Sequence, residues 1–353
     1  MANGPSLVRT YGDTDFITGL RAIAATMVVI MHTGAFSGLG PLGEAITSAG
    51  KYGVDVFFVI SGFTVAKTFG EAANYRAYLL RRIFRIVPLY WLLITVGLVL
   101  AMYGIESSFW MQELGASPDF YNLLMHLSLI SYVDYTVANS ILGVEWTIPV
   151  EVFWYLALPL ILTRINTPWR TLGAVLCLAV IALAMAYVSK KLLGTSQPVK
   201  WSPVAYGHWF FLGSLTYFLR ARLTALQGGR LAIFAWLGAA MYLLAILLPF
   251  SGRGEAIGLS VALLLTCASP QHTGTLTRAL TFGPMLFLGS ISYSLYLVHP
   301  IVIALYHQTG IVMPDPFLTF LLVYGATVAI SFATYVLVER PTNALGRALA
   351  KRQ

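Results

Sequence analysis

The sequence is short of charge. Only 10% of its 353 residues are Asp, Glu, Lys or Arg, against about a quarter in soluble domains, which excludes an ordinary water-soluble enzyme of this length. Cysteine is nearly missing as well. Cys177 and Cys267 both fall inside apolar runs, so neither a disulfide framework nor a Cys-built metal centre is expected, and no metal site is read from other residues. There is no Gly-x-Ser-x-Gly elbow for a serine nucleophile, no low-complexity segment, no discernible repeat, and no linker long enough to separate domains. The start lacks the basic-then-apolar pattern of a cleavable signal, because Asp13 and Asp15 precede the first apolar run. Acidic residues are the scarcer sign, 14 against 22 basic. The surplus Lys and Arg lies mostly in loops, which points to topology signals and lipid headgroups rather than nucleic acid.

What the chain has in abundance is apolar runs. They fall near residues 16–37, 52–69, 83–104, 146–163, 171–188, 202–219, 231–249, 254–269, 284–307 and 317–338, most of them about 17–22 residues long, enough to cross a bilayer as a helix. The expectation is an all-α, polytopic transmembrane helical bundle of about ten spans. The stretch 121–133 is apolar but too short to cross untilted and reads as an interfacial or re-entrant helix. An even number of crossings puts both termini on one side. That side collects Arg9, Arg76, Arg81, Arg82, Arg85, Arg164, Arg170, Arg220, Arg222, Arg230, Arg278, Arg340, Arg347, Lys351 and Arg352, while Lys51, Lys190, Lys191, Lys200 and Arg253 fall on the other. The bias predicts cytoplasmic termini. One multi-pass membrane domain over residues 1–353 is expected.

Within these spans the ionisable residues are few, and each is expensive unless it faces a cavity or a partner. Arg21 and His32 are separated by ten intervening residues. Eleven steps make almost three helical turns, so both lie on one face, roughly 16 Å apart along the axis. The second span holds Asp55 near its outer end and Ser61-Gly62 in its inner half, where the pair forms a small polar break, either for close helix packing or for a ligand. Arg82 and Arg85 share a helical face at the cytoplasmic rim. They suit either positive-inside anchoring or a guanidinium fork for phosphates. Glu151 lies inside the fourth span beside Phe153, Trp154 and Tyr155, a combination that can hold a sugar by ring stacking and hydroxyl hydrogen bonds. His299 precedes Pro300 in the ninth span, where the proline is expected to interrupt the ladder. His126, His208, His272 and His307 read as structural, and Glu339-Arg340-Pro341 as a polar stop.

Taken together, Arg21-x10-His32, the Gly53-Val54-Asp55 to Ser61-Gly62-Phe63 block, Arg82-x-x-Arg85, Trp146-Thr147 to Glu151 to Tyr155, and Ser292-Tyr293 to His299-Pro300 resemble the acyltransferase-3 family of integral membrane acyltransferases. The motifs run in family order from about residue 15 to 341, and the Arg-Ile-Val-Pro-Leu-Tyr-Trp wording is most similar to exopolysaccharide O-acetyltransferases. The resemblance implies transfer of an acetyl group from acetyl-CoA, as substrate rather than resident cofactor, to a hydroxyl of a carbohydrate acceptor, a glycan or lipid-linked sugar. It implies His32 as catalytic histidine with Arg21 as companion and Glu151 in the catalytic set, serving the acceptor or orienting His32, and Arg82, Arg85 and Ser61 on the donor. Asp55, Trp154, Tyr155 and His299 would then serve the acceptor or support the site. It also implies a multi-pass protein of the bacterial inner membrane, in contact with its lipids. The chain ends soon after Arg340, so the C-terminal extracytoplasmic domain of some relatives is not expected.

A thioester is already activated, and a neutral imidazole can raise the nucleophilicity of an alcohol as general base. Direct attack in a ternary complex is the preferred route, with a covalent acyl-histidine as the alternative. The competing class is a secondary transporter whose His32, Glu151 and His299 form a proton relay.

Overall fold

The computed structural model describes residues 14–72, 74–223 and 228–353; Arg9 and Asp13 lie outside them. Among the described residues the chain is all-helical, 78% helix with no strand. In order the helices are α1 (Phe16–Thr33), α2 (Gly40–Ala49), α3 (Gly53–Gly70), α4 (Tyr75–Met102), α5 (Trp110–Glu113), α6 (Phe120–Leu127), α7 (Thr147–Leu162), α8 (Pro168–Leu193) and α9 (Gln197–Lys200). After them come α10 (Pro203–Leu223), α11 (Gly228–Leu247), α12 (Arg253–Cys267), α13 (Gly274–Leu280), α14 (Gly283–Ser290), α15 (Ser292–Gln308), α16 (Pro316–Thr334) and α17 (Arg340–Ala350). Six helical stretches are long and apolar enough to cross a membrane, or seven if the bent α14–α15 pair is one span. Their outward faces are apolar, as Leu176, Val180 and Leu183 on α8 show, which suits a hydrocarbon solvent.

The bundle is built around α1. Its small residues Gly19, Ala22, Ala24 and Ala25 are buried, and they let neighbouring backbones approach closely. A Cβ on Gly289 of α14 would lie 1.9 Å from Thr18 O, and one on Gly53 of α3 would lie 2.5 Å from Ala24 O. The helix ends at Gly34, whose φ of 64° suits a glycine and whose N–H bonds back to the carbonyls of Ile30 and Met31. A second tight seam joins α3 to α10. There a Cβ on Gly62 would sit 1.9 Å from Phe210 O, and one on Gly213 would sit 2.0 Å from Val59 O.

Several sequence expectations are corrected. Ser61-Gly62 makes no break, because α3 runs unbroken from Gly53 to Gly70. Pro300 does not interrupt α15, which continues to Gln308; a proline is tolerated where neighbouring groups take up the freed carbonyl. The interruption comes earlier, at Ile291, where α14 and α15 meet at 69°. Glu339 is no solvent-facing stop. It is buried where a π-turn joins α16 to α17, and its Oε1 accepts from the Ser294 backbone N–H at 3.1 Å and from the Ser294 hydroxyl.

The stretch after α4 packs over one end of the bundle around a buried polar knot. Glu145 accepts from the N–H groups of Ile141 at 2.6 Å and Val144 at 3.0 Å. His126 Nε2–H donates to Val137 O at 3.0 Å while its Nδ1 accepts from the Tyr90 hydroxyl at 2.8 Å. A neutral ring satisfied at both nitrogens is structural. Burial pushes Glu145 up to about 7 and His126 down to about 4, so their 4.0 Å approach is not a fully charged pair.

Candidate active site

Two cavities lie end to end along α1. The first, about 350 Å³, is lined by the N-terminal half of α1 and the C-terminal half of α3, together with the start of α4 and part of α7. The second, about 630 Å³, takes the C-terminal end of α1, the N-terminal end of α3, Trp110 at the start of α5, Trp146 just before α7 and Trp201 just after α9. Because α1 and α3 run antiparallel, the two cavities lie toward opposite ends of the bundle. They share a wall of Val54 and Tyr296. Tyr296 is held there by its hydroxyl, which donates to Val144 O at 2.8 Å and accepts from Thr147 Oγ1 at 3.1 Å.

The first cavity gathers Arg21, Ser61, Arg82, Arg85, Glu151 and Tyr155. Their roles separate on inspection. Arg82 is 5% exposed, donates from Nη2 to Thr64 O at 2.9 Å and to the Thr68 hydroxyl, and lies 5.1 Å from the Tyr155 ring centre. Its guanidinium therefore ties α4 to α3. Arg21 and Arg85 make no hydrogen bond or ion pair among the described residues. Lys67, on the same wall, donates to the Thr14 hydroxyl at 3.1 Å. Among the described residues the guanidiniums of this wall without a hydrogen bond are thus one from α1 and one from α4, within electrostatic reach of Glu151 and Glu339, rather than the Arg82–Arg85 fork. The Glu151 carboxylate accepts from Ser61 Oγ at 2.5 Å and from the Tyr155 hydroxyl. It lines this cavity, and it makes no hydrogen bond or ion pair with His32 among the described residues.

His32 sits in the second cavity, exposed to it, together with Asp55. Its Nδ1 lies 2.9 Å from Val28 O and 3.2 Å from His299 Nε2. A carbonyl can only accept, so Nδ1 carries the proton and, in the neutral ring, Nε2 carries the lone pair. The same logic places a proton on His299 Nδ1, which lies 3.2 Å from Leu295 O. His299 Nε2 is then an acceptor facing the His32 Nδ1–H. The wholly buried His299 is a partner of His32, and His32 Nε2 has no hydrogen-bond partner among the described residues. This imidazole can take a proton from a bound hydroxyl at Nε2. The charge it gains is delocalised toward two acceptors on the other side of the ring.

The structure therefore brings Arg21, Arg85, Ser61, Glu151 and Tyr155 to one cavity, His32 and Asp55 to the other, and His299 behind His32. Trp154 it does not bring to either. That indole is 5% exposed, donates to Pro203 O at 2.9 Å and packs on Phe210 and Phe211. The residues missed from sequence are Tyr296, Trp110, Trp201 and Tyr206 around the cavities, and Glu339 behind them. Only Tyr296 carried a signal, three positions before His299 in the same segment.

No solved structure matches the chain. Among curated relatives, it is 29% identical to the exopolysaccharide production protein ExoZ of Rhizobium meliloti (strain 1021), over 85% of this chain and 91% of that one. It is 26% identical to nodulation protein 10 of Rhizobium leguminosarum bv. viciae, over 99% of each. It is 22% identical to the O-acetyltransferase OatA of Staphylococcus aureus (strain NCTC 8325), over 94% of this chain and 57% of that one. A family model for an acyltransferase domain, Acyl_transf_3, matches residues 14–336. The chain belongs to the acyltransferase-3 family, and it is an acyltransferase.

Proposed function

We propose that the protein moves an acetyl group from acetyl-CoA, bound at the cytoplasmic end, to a hydroxyl of a cell-surface or exported glycan held at the other end. The setting is a single membrane domain of ten spans in a bacterial inner membrane, with both termini cytoplasmic. Relatives named for exopolysaccharide production and O-acetyl transfer support the reaction class, and the basic bias of the loops supports the orientation. The observation that carries the reading is the pair of cavities: guanidiniums of Arg21 and Arg85 without a hydrogen bond or ion pair among the described residues in one, an imidazole with a free Nε2 in the other, and a shared wall of Val54 and Tyr296.

Arg21 and Arg85 hold the nucleotide phosphates by charge-assisted hydrogen bonds. The pantetheine arm runs along the α1 face past Val54 and Tyr296, covering the offset of roughly 16 Å that helix rise gives between Arg21 and His32. In the transfer step the acceptor hydroxyl gives its proton to His32 Nε2 while its oxygen attacks the thioester carbonyl. Collapse of the tetrahedral adduct breaks the carbon–sulfur bond, and the thiolate leaves as CoA with the proton His32 took up. His299 Nε2 and Val28 O stabilise the imidazolium in between.

The test is donor kinetics of purified protein in nanodiscs, read as free CoA. Wild type is expected to release CoA with an acceptor, and Arg85→Gln or Arg21→Gln to raise the acetyl-CoA KM about ten- to a hundredfold, the scale of one lost charge-assisted contact. Absence of CoA release, or an unchanged donor KM in both variants, contradicts the reading.

A further inference from the structure

The basic residues expected on the outer side of the bundle run against the bias of the other loops, and each calls for a reason. Arg253 has one: its guanidinium donates to the carbonyls of Ala245, Ala45 and Ile246 and to Ser48 Oγ. Lys190 and Lys191 lie in the last turn of α8, exposed and outside either cavity. Lys51 and Lys200 are different. Both line the His32 cavity, from the turn just before α3 and the end of α9, and neither side chain makes a hydrogen bond or an ion pair among the described residues. Each has its ammonium near an aromatic ring instead, 5.0 Å from the centre of Tyr52 and 6.0 Å from that of Trp110. Burial and then the charge of Lys51 pull the basicity of Lys200 down, the mark of two cations sharing a poorly hydrated space. Asp55 lines the same cavity but is ion-paired with neither among the described residues.

The cavity that holds the lysines and His32 is also lined with aromatic side chains. Trp110 meets Trp201 edge-on at 5.0 Å, and Trp146 lies against Tyr206 at 5.0 Å. Such faces take the apolar side of a sugar ring, and an ammonium on a flexible stem suits an oxyanion on that ring.

From this we infer that the acceptor is an anionic saccharide. Its carboxylate or phosphate is held between Lys51 and Lys200, its ring stacks on the tryptophan wall, and its free hydroxyl is directed at His32. The inference rests on the acyltransferase reading and adds to it the charge of the substrate. An incoming anion relieves the repulsion between the two lysines, so charge is recognised where the cavity otherwise offers mostly aromatic surface.

The test uses the whole protein in nanodiscs with acetyl-CoA and oligosaccharides cut from the deacetylated surface polysaccharide of the cell that makes it. These are supplied intact, after carboxyl reduction of their uronic acids, and after removal of phosphate with cold hydrofluoric acid. One of the two treatments is expected to raise the acceptor KM about tenfold or more, a charge-assisted contact's worth, and so to identify the anion. Lys51→Gln with Lys200→Gln raises the KM of the intact acceptor by a similar factor and spares the neutralised one. Lys51→Arg with Lys200→Arg keeps the intact acceptor's KM near wild type. Equal KM for intact and neutralised acceptors overturns the inference, as does equal loss on both in the Gln pair or failure of the Arg pair. CoA release by wild type reports on the acyltransferase reading separately: its absence with every acceptor ends that reading, whereas release indifferent to acceptor charge ends this one alone.

Discussion

In the reaction we propose, the chemistry turns on His32 Nε2, whose ring is held by a residue 267 positions away. His299 Nε2 stands 3.2 Å from the proton-bearing Nδ1 of His32, so it orients the ring and accepts from the imidazolium. His299→Phe keeps an aromatic plug but removes the acceptor, and is expected to lower kcat about tenfold with acceptor and donor KM near wild type. His299→Gln returns a carbonyl oxygen and should recover most of that loss, which steady-state kinetics of the two variants will decide. His32→Ala should cost about 10² to 10⁴ in rate while leaving detergent stability near wild type. Much of this scale is legible in sequence. The eleven-step spacing that puts Arg21 and His32 on one helix face follows from helix geometry alone. Which of them shares a cavity with which other residue does not follow, because long-range pairing is decided by how α1 meets α15 and α3. The same limit explains Glu151 and Trp154. Neighbours in sequence on a helix point about 100° apart per step, so of one acidic-aromatic block Glu151 and Tyr155 reach the cavity while Trp154 faces α10.

At the scale of elements, the Ser61-Gly62 pair serves packing and polarity at once. Ser61 donates to Glu151, and the next residue is bare so that α10 can lie against α3. A methyl on Gly62 would meet backbone on an opposing helix, not a side chain that can swing away, so Gly62→Ala should cost about 1–3 kcal/mol in overpacking. The expected sign is a lower thermal midpoint in detergent for Gly62→Ala and for Gly213→Ala, with Gly283→Ala, which has open space around its Cβ position, close to wild type. Each apolar run read from sequence falls on a helix, because a stretch that must satisfy its own backbone in lipid has few other choices. The bend was not legible. Proline is the ordinary marker of a break, yet α15 passes through Pro300 and turns instead at Ile291, where α14 lies so close to α1 that Gly289 has no room for a side chain.

At the scale of the whole molecule, the two cavities meet at Val54 and Tyr296 and otherwise share no lining residue. Arginines gather at one end, and tryptophans with two unpaired lysines at the other. From that polarity we propose that donor and acceptor approach from opposite faces, and that only the acetyl-bearing arm crosses the wall between them. A proton-coupled carrier would need His32 and Glu151 in one relay, but they line separate cavities. The most direct measurement uses sealed right-side-out membrane vesicles containing the protein, with radiolabelled acetyl-CoA trapped inside and an impermeant oligosaccharide acceptor outside. The account predicts label on the external oligosaccharide, lost in His32→Ala. Transfer that occurs only when donor and acceptor share the cytoplasmic face would contradict it.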